Sequence, residues 1–250
     1  MAKMIAVWGS PNSGKTTTSI QLALALAAQT GRTVLTLFAD DTTPALPVIF
    51  PTDNTLSSTS FGKVLAIADP TSEDILRYTC PANRNKNCFF LGYGEGENIF
   101  SYAITTEDKY KEILKKTQTL FDFVIVDCTA VPNRLSKVAM SMSDIIFRLK
   151  TPDFKSMNFF TSQLPIMADP AYKTEQHIPV LNTPFKDIDA ANENASGLTV
   201  YKIGYCKELR HQFFDGDMTT LCKSRRYAKT IAKLITEIIP PPPTTPKKHK

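Results

Sequence analysis

Residues 4–19 read MIAVWGSPNSGKTTTS, and this stretch decides the fold. Its central part, residues 9–16, fits the pattern G-x-x-x-x-G-K-[S/T] of a phosphate-binding loop. The apolar residues before the loop are typical of a short buried parallel strand, and those after it favour a helix. A strand, a glycine-containing loop and a helix in this order predict a loop whose backbone N–H groups surround phosphate oxygens.

Each residue type in this loop has a chemical purpose. Glycines let the backbone wrap closely around phosphates. Lys15 is a flexible point charge that can reach the β- and γ-phosphates of a nucleotide, and the Thr16 hydroxyl can ligate Mg²⁺. We therefore predict a site for ATP and Mg²⁺ in which the loop supplies these nucleotide-binding residues: Gly9, Ser10, Pro11, Asn12, Ser13, Gly14, Lys15, Thr16 and Thr17.

The rest of the chain alternates between predicted strands and helices. Strands are predicted at residues 33–38, 88–92, 121–127, 143–150, 177–182 and 198–205, and helices at 16–31, 61–68, 72–79, 106–120, 153–168 and 222–239. This alternation predicts an α/β fold, a P-loop NTPase with a mostly parallel sheet and helices on both faces. Residues 41–62 and 186–197 are predicted as loops.

The end of the chain differs in composition from the rest. Residues 240–250 read PPPPTTPKKHK, and proline can neither continue a helix nor donate its backbone nitrogen. We predict one domain over residues 1–239, followed by a Pro-rich basic tail over 240–250 that is disordered. Three of the five net positive charges lie in this tail, so the predicted domain is close to neutral.

Composition excludes several classes of protein. No apolar run approaches the length of about 20 residues that spans a bilayer, so we predict no integral membrane segment. The apolar run at residues 4–8 leads directly into the loop, and we interpret it as a strand and not as a targeting segment. The five cysteines form no CxxC pair, which argues against disulfides and a zinc site and favours a cytoplasmic protein with free thiols.

A second part of the site is expected at the carboxyl ends of other strands. Asp127 ends the apolar strand FDFVIVD, where an aspartate can hold Mg²⁺. Asp40 and Asp41 follow the strand at residues 33–38. The carboxyl ends of parallel strands meet at one crevice, so these carboxylates are predicted to lie near Lys15. The alternative is that Asp40 and Asp41 only begin a turn.

The order of these segments resembles the ParA/MinD family of P-loop ATPases, over about residues 3–239. The segments that carry the resemblance are SGKTTTSIQLALALA (13–27), GRTVLTLFADDTTPAL (31–46), FDFVIVDC (121–128), SDIIFRLKTPDFKSM (143–157) and YKIGYCKELRHQFFDGDM (201–218). The resemblance implies ATP and Mg²⁺ as cofactors, with Thr16 and Asp127 at the metal. It also implies that Lys15 and Asp40 are catalytic, Asp40 by orienting the attacking water.

The resemblance also implies partners and a contact to the base. Family members switch by forming a nucleotide-dependent homodimer and work with a protein partner that reads or stimulates the ATP state. Asn182, at the end of a late strand, is the nearest match to the residue that binds the base, with Cys206 and Lys207 as further candidates. A turn-forming role for Asn182 is equally consistent with the sequence.

Two residues depart from the family pattern. Ser10 stands where the family has a signature lysine that reaches the partner's nucleotide, and Phe38 replaces the first aspartate of a D-x-D pair. The first hypothesis is therefore a slow ATPase that acts as a positioning switch. The second is a module that binds ATP and hydrolyses it slowly or not at all, serving as a scaffold or adaptor.

The cargo of such a switch is open. Ser10 favours the divergent branch of the family that localises a pilus or secretion apparatus, whereas the lack of an obvious N-terminal receiver-like domain favours partition of a plasmid or mobile element. Non-specific DNA is a possible partner of a basic surface on the last predicted helix, formed by Lys223, Arg225, Arg226, Lys229 and Lys233. The alternatives are a solvated helix face and a membrane-surface helix.

Overall fold

Eight strands form one sheet in the computed structural model, which describes residues 2–51, 59–82, 84–184, 186 and 199–240. The strands are β1 (Lys3–Gly9), β2 (Val34–Phe38), β3 (Cys80–Ala82), β4 (Asn85–Leu91), β5 (Phe123–Asp127), β6 (Ile145–Lys150), β7 (His177–Asn182) and β8 (Tyr201–Ile203). Their order across the sheet is β3-β4-β2-β5-β1-β6-β7-β8. β3 pairs with β4 in the antiparallel sense and every other pairing is parallel, which confirms the predicted α/β fold.

Helices connect the strands and cover both faces of the sheet. Within the described residues they are α1 (Lys15–Thr30), α2 (Leu46–Ile49), α3 (Phe61–Ala66), α4 (Ser72–Arg77), α5 (Glu107–Leu120), α6 (Arg134–Met142), α7 (Phe154–Gln163), α8 (Lys207–Asp215) and α9 (Arg225–Ile238). Three 3₁₀ turns, Ile166–Ala168, Pro170–Tyr172 and Thr174–Gln176, lead from α7 to β7.

Strand β1 shows how the core is divided between the two faces. Ile5 and Val7 pack into a cluster with residues of α1 and α9, whereas Met4, Ala6 and Trp8 pack into a second cluster with residues of α5 and α6. All five side chains are fully buried. A strand that is covered on both sides needs apolar residues at every position and not at every second one, which explains the continuous apolar run before the phosphate loop.

The last helix packs on the domain with its apolar side. Tyr227, Ile231, Leu234, Ile235 and Ile238 are buried and belong to the cluster around α1. The candidate basic surface of this region is exposed at all five positions: Lys223, Arg225, Arg226, Lys229 and Lys233. The apolar face of α9 is therefore accounted for by packing on α1 and the sheet. No helix among the described residues is long and apolar enough to cross a membrane.

Several predicted elements differ from the structure. The predicted helix at 153–168 ends at Gln163, because Pro165 has no N–H with which to continue the helical hydrogen bonds beyond Leu164. Strand β8 is shorter than the predicted 198–205. The predicted loop at 41–62 contains α2 and the start of α3, and β3, α6 and α8 were not predicted. The loop predicted at 186–197, except Lys186, and residues 241–250 of the predicted tail lie outside the described residues.

Candidate functional site

The phosphate loop has the close backbone packing that its glycines allow. The amide of Ser10 donates to the Leu149 carbonyl of β6 at 3.1 Å, and a Cβ added to Gly9 would lie 2.0 Å from that same oxygen. Gly14 has φ of 79° and Asn12 has φ of 59°, in the left-handed region that glycine and asparagine tolerate best. The loop therefore turns tightly beneath the end of β6 and leads into α1.

Asp127 lies at the floor of the site because β5 runs parallel to β1. The register pairs Val7 with Asp127, so β5 ends beside the beginning of the phosphate loop. The Asp127 carboxylate accepts hydrogen bonds from the Thr16 hydroxyl at 2.6 Å and the Ser19 hydroxyl at 3.1 Å. The hydroxyl of Thr16 and the carboxylate of Asp127 are hard oxygen donors, the type that Mg²⁺ prefers. The two predicted metal residues are therefore in direct contact, and their donor set fits this ion.

The electrostatics of Asp127 and Lys15 depend on each other. Burial raises the pKa of Asp127 from 3.8 to about 6, although the Thr16 hydrogen bond and the charge of Lys15 act in the opposite direction. Burial also lowers the pKa of Lys15, opposed mainly by the charge of Asp127. The Lys15 ammonium donates to the Ser10 carbonyl at 3.1 Å. Burial thus disfavours the charged form of each residue, and the opposite charge of the other residue offsets this effect only in part.

Asp40 begins a turn and also lies in the cavity near Lys15, the two alternatives that the sequence left open for its position. Its Oδ1 accepts from the backbone N–H of Thr42 at 2.9 Å and of Thr43 at 2.8 Å, which makes it the start of a turn. It also lines the same cavity as Lys15 and Asp127. The end of β2 is held in place by the Asn133 side chain, which donates to the Ala39 carbonyl at 2.7 Å. Asp40 therefore has a fixed position at the rim of the site.

A cavity of about 840 Å³ extends from the phosphate loop to α8. This volume lies within the range that small-molecule and cofactor sites occupy. The predicted nucleotide-binding residues that line it are Pro11, Asn12, Gly14, Lys15, Thr16, Thr17 and Asn182. Gly9, Ser10 and Ser13 are buried behind the loop and do not line it. These three residues shape the loop.

Asn182 joins the end of β7 to the phosphate loop. Its side-chain amide donates to the Ser13 carbonyl at 2.8 Å, and a Cβ on Gly14 would lie 2.4 Å from the same amide nitrogen. Asn182 also lines the cavity. The predicted contact to a base and the alternative structural role both remain compatible with this position.

Apart from Cys206, which the sequence offered as a candidate contact to the base, the far wall of the cavity was not predicted. It consists largely of residues from β8, α8 and the link between them: Ile203, Gly204, Tyr205, Cys206, Leu209, Arg210, Phe213 and Phe214. Leu209 and Phe213 are four positions apart and so lie on one side of α8. That spacing was the available signal, but it appears in a segment with few other apolar residues. This wall offers apolar and aromatic surface at the end of the cavity away from Lys15.

Ser10 has a specific structural environment at the position of the missing lysine. Its side chain is fully buried, and its hydroxyl accepts a hydrogen bond from the Ser156 hydroxyl in the first turn of α7 at 2.9 Å. Its carbonyl accepts from Ser13 and Lys15. Ser10 therefore connects the phosphate loop to α7 and does not extend toward another molecule.

Comparison with known proteins agrees with this architecture. A sequence model of the AAA domain family matches residues 2–158, and a search of curated protein sequences finds no match. Among solved structures, the septum site-determining protein MinD of Pyrococcus horikoshii OT3, complexed with Mg-ADP, is 20% identical with a TM-score of 0.73, and the alignment covers 96% of this chain and 97% of that one.

Two further structures are similar over nearly the whole chain. A ParA family ATPase from Chlorobium tepidum TLS is 13% identical with a TM-score of 0.75, covering 93% of this chain and 97% of that one. A putative plasmid partition protein from Borrelia burgdorferi B31, bound to AMPPNP, is 15% identical with a TM-score of 0.66, covering 95% and 100%. The chain therefore belongs to the AAA domain family, and its fold is that of the MinD and ParA family P-loop ATPases.

Proposed function

We propose that this protein binds Mg·ATP and hydrolyses it slowly, acting as a nucleotide-dependent positioning switch. The observation that carries the proposal is the contact between the Thr16 hydroxyl and the Asp127 carboxylate beside Lys15, at the floor of a cavity of about 840 Å³. A hydroxyl, a carboxylate and an ammonium at a helix N-terminus are the groups that a Mg²⁺-bound triphosphate requires.

In the proposed reaction the residues position and neutralise charge. Lys15 leaves the Ser10 carbonyl and contacts the β- and γ-phosphates, while the amides of the loop donate to phosphate oxygens. Thr16 and Asp127 would hold Mg²⁺, which would supply positive charge to neutralise the phosphates. Asp40 at the rim orients the attacking water. Because phosphoryl transfer needs little covalent participation from the protein, this arrangement can supply most of the rate.

We propose that the base lies against the far wall of the cavity. Tyr205, Leu209 and Phe213 offer apolar and aromatic surface there, which suits a flat heterocycle. Asn182 lies between the phosphate loop and this wall and can present its amide to the base. With a base bound, the Asn182 amide would either share its hydrogen bond between the Ser13 carbonyl and the base or exchange the Ser13 carbonyl for the base.

The switch itself is proposed to be a cytoplasmic, nucleotide-dependent homodimer that is read by a protein partner. The proposal is supported by the likeness of the fold to a septum site-determining protein and a putative plasmid partition protein. Its cargo would be a plasmid or mobile element, or a pilus or secretion apparatus. The exposed basic residues of α9 make non-specific DNA a candidate partner. Binding through phosphates must then weaken steeply as the salt concentration rises.

An ATPase and binding assay tests the enzymatic proposal. We expect Lys15→Ala to abolish Mg-dependent turnover and to weaken ATP binding, because it removes the cation proposed to contact the β- and γ-phosphates. Lys111→Ala is the matched control, since Lys111 lies exposed on α5 and pairs with Asp108 on the same helix. Turnover that is the same in wild type, Lys15→Ala and Lys111→Ala would come from a contaminant and would refute the proposal.

Sizing the protein with ATP, with ADP and without nucleotide tests the dimer. We expect a dimer with ATP and a monomer in the other two states. A monomer in all three states would remove dimerisation from the proposal and leave nucleotide binding unaffected.

Ser10 supports a second candidate, an ATP-binding scaffold or adaptor with negligible hydrolysis. Its buried hydroxyl bonds to Ser156, so this position supplies no cation to a partner's nucleotide. Tight ATP binding that depends on Lys15, together with turnover at the background rate in the presence of Mg²⁺, would favour the scaffold. Turnover that Lys15→Ala removes would favour the ATPase.

A further inference from the structure

We propose that Cys206, Glu208 and Cys222 form a zinc site beside the nucleotide cavity. In the part of the chain that the structure describes, these three residues form the one group of at least three potential ligands that could share an ion, with their ligand atoms all within 4.8 Å of one another. The two sulfur atoms are 3.5 Å apart. The inference does not depend on the proposed function, because it concerns metal binding by the nucleotide-free chain.

The fold brings the ligands together from distant positions. Cys206 precedes α8 as its N-cap residue, and Glu208 lies in the first turn of that helix. Cys222 lies shortly before α9, sixteen positions after Cys206. The sequence contains no CxxC pair, so the spacing of the cysteines predicted no zinc site. The three ligands become neighbours only because the segment after α8 returns to the beginning of that helix.

Hydrogen bonds fix two of the three ligands. The buried Gln21 side chain of α1 accepts from the Cys222 amide at 2.8 Å and donates to the Thr220 carbonyl at 2.9 Å. The Glu208 Oε1 accepts from the Lys223 amide at 2.8 Å, which orients the carboxylate and leaves Oε2 as its other oxygen. Such outer contacts, which hold a ligand in one orientation, are characteristic of metal sites.

The donor set and its dimensions suit zinc. Two thiolates bound tetrahedrally at about 2.3 Å from the ion lie about 3.8 Å apart, and the two sulfurs are already at 3.5 Å. Thiolates select soft or borderline metals over Mg²⁺ and Ca²⁺. Two thiolates and one carboxylate leave a fourth tetrahedral position for water. The site would thus be distinct in chemistry from the oxygen-lined Mg²⁺ position at Thr16 and Asp127.

The surroundings can stabilise the charge of the filled site. Each thiol releases one proton to the solvent when it binds the ion, so two thiolates, one carboxylate and Zn²⁺ carry a net charge of −1. Lys207 follows Cys206 in the sequence and Lys223 follows Cys222, and both lysines are exposed.

The zinc ion would connect the start of α8 to the segment that leads into α9. Cys206 also lines the nucleotide cavity, as do Leu209 and Phe213 of α8. A filled site would therefore fix the helix that forms the far wall. We expect added zinc to stabilise the wild-type protein against unfolding, because an ion that binds only the folded state shifts the equilibrium toward it.

Metal titration of the full chain under reducing conditions, without nucleotide, tests the inference. The probes are Zn²⁺, measured by competition with a chromophoric chelator, and Co²⁺, whose charge-transfer absorption reports thiolate ligands. We expect one ion per chain in the wild type. Cys222→Ser should weaken zinc binding by at least about 100-fold and Glu208→Gln by about 10-fold, since even outer-shell partners change metal affinity by 10- to 100-fold.

Two variants keep the test interpretable. Glu208→Gln retains an oxygen that can accept from the Lys223 amide but removes the negative charge, so it separates metal binding from folding if Cys222→Ser unfolds. Cys80→Ser is the matched control, because Cys80 lies in β3 at the other edge of the sheet; its zinc affinity should equal that of the wild type.

Three results would overturn the inference. The first is a wild-type chain that binds neither Zn²⁺ nor Co²⁺. The second is binding that Cys222→Ser and Glu208→Gln leave unchanged. The third is a Cys206–Cys222 disulfide that forms with oxidised glutathione at the same rate with and without zinc, which would identify a redox pair.

Discussion

Replacement of Asp127 by asparagine should stabilise the nucleotide-free protein, although it removes a proposed Mg²⁺ ligand. Burial raises the pKa of Asp127 from 3.8 to about 6. A pKa difference between the folded and unfolded states is a free energy of about 1.36 kcal/mol per unit. The charged carboxylate therefore costs the folded state about 3 kcal/mol at a pH above its folded pKa.

The pH dependence has a definite sign. Between pH 3.8 and about 6 the folded state binds a proton that the unfolded chain has already lost. Stability from this group therefore falls as the pH rises through that window, and the full cost applies above it. An asparagine carries no charge at any pH, and its amide can still bond to the hydroxyls of Thr16 and Ser19. The free energy of unfolding of the Asp127→Asn protein should exceed that of the wild type by up to about 3 kcal/mol at pH 8 and by about 1.5 kcal/mol at pH 5.

Urea unfolding in EDTA at pH 8 and pH 5, followed by circular dichroism, measures this difference. Asp122→Asn is a control of opposite sign, because hydrogen bonds from the backbone and side chain of Thr33 hold the pKa of Asp122 below its ordinary value. That variant should be less stable than the wild type by the same amount at both pH values. An Asp127→Asn protein that unfolds no later than the wild type at pH 8, with an unchanged slope in urea, would refute the reasoning.

Three further predictions concern the loop, the metal and a buried histidine. Gly9→Ala should destabilise the fold by about 3 kcal/mol or more in urea unfolding, because its Cβ would lie 2.0 Å from the Leu149 carbonyl oxygen. An unchanged midpoint of unfolding would contradict the close approach of Gly9 to β6. Thr16→Ala should weaken Mg·ATP binding by about 2 kcal/mol, roughly 30-fold in Kd, with little effect on ATP in EDTA; equal losses in both titrations would argue against a metal contact. Burial lowers the pKa of His177 from 6.5 to about 4, so its stability contribution is complete above pH 6.5 and is lost as the pH falls. Relative to His177→Gln, the wild type should lose about 2 kcal/mol between pH 7.5 and pH 5, and parallel unfolding curves at the two pH values would count against a buried neutral imidazole.

The elements that the sequence predicts well are those in which the local residue pattern and the tertiary environment favour the same structure. Strand β7 agrees with its predicted bounds, His177–Asn182, and β1, β2 and β5 consist mostly of apolar residues, as is typical of strands covered on both faces. The phosphate loop carries its own pattern of glycines, lysine and threonine. In each case the local sequence and the tertiary environment require the same residues.

Among the elements that were not predicted, α8 lacks the usual signals of a helix in its sequence. Helix α8 begins at Lys207, and the side chain of its N-cap residue Cys206 makes no cap hydrogen bond, so the usual Ser, Thr, Asp or Asn signal for a helix start is missing. Phe213 and Phe214 of α8 both line the cavity although both are exposed, which obscures the apolar periodicity. Helix α6 did carry a signal, the N-cap Asn133. The meeting of Cys206 and Cys222 depends on the path of the chain and could not follow from their spacing.

The two edges of the sheet limit how copies of this protein can associate. One edge is β3, three residues long with Pro81 at its centre, and the other is β8, also three residues long. Proline offers no N–H to an incoming strand, and such short edges provide little template for one. In the part of the chain that the structure describes, both edges of the sheet therefore disfavour the addition of an extended peptide through backbone hydrogen bonds. A second copy would have to be recognised through the side chains of helices and loops, where the identity of each residue decides which neighbour is accepted.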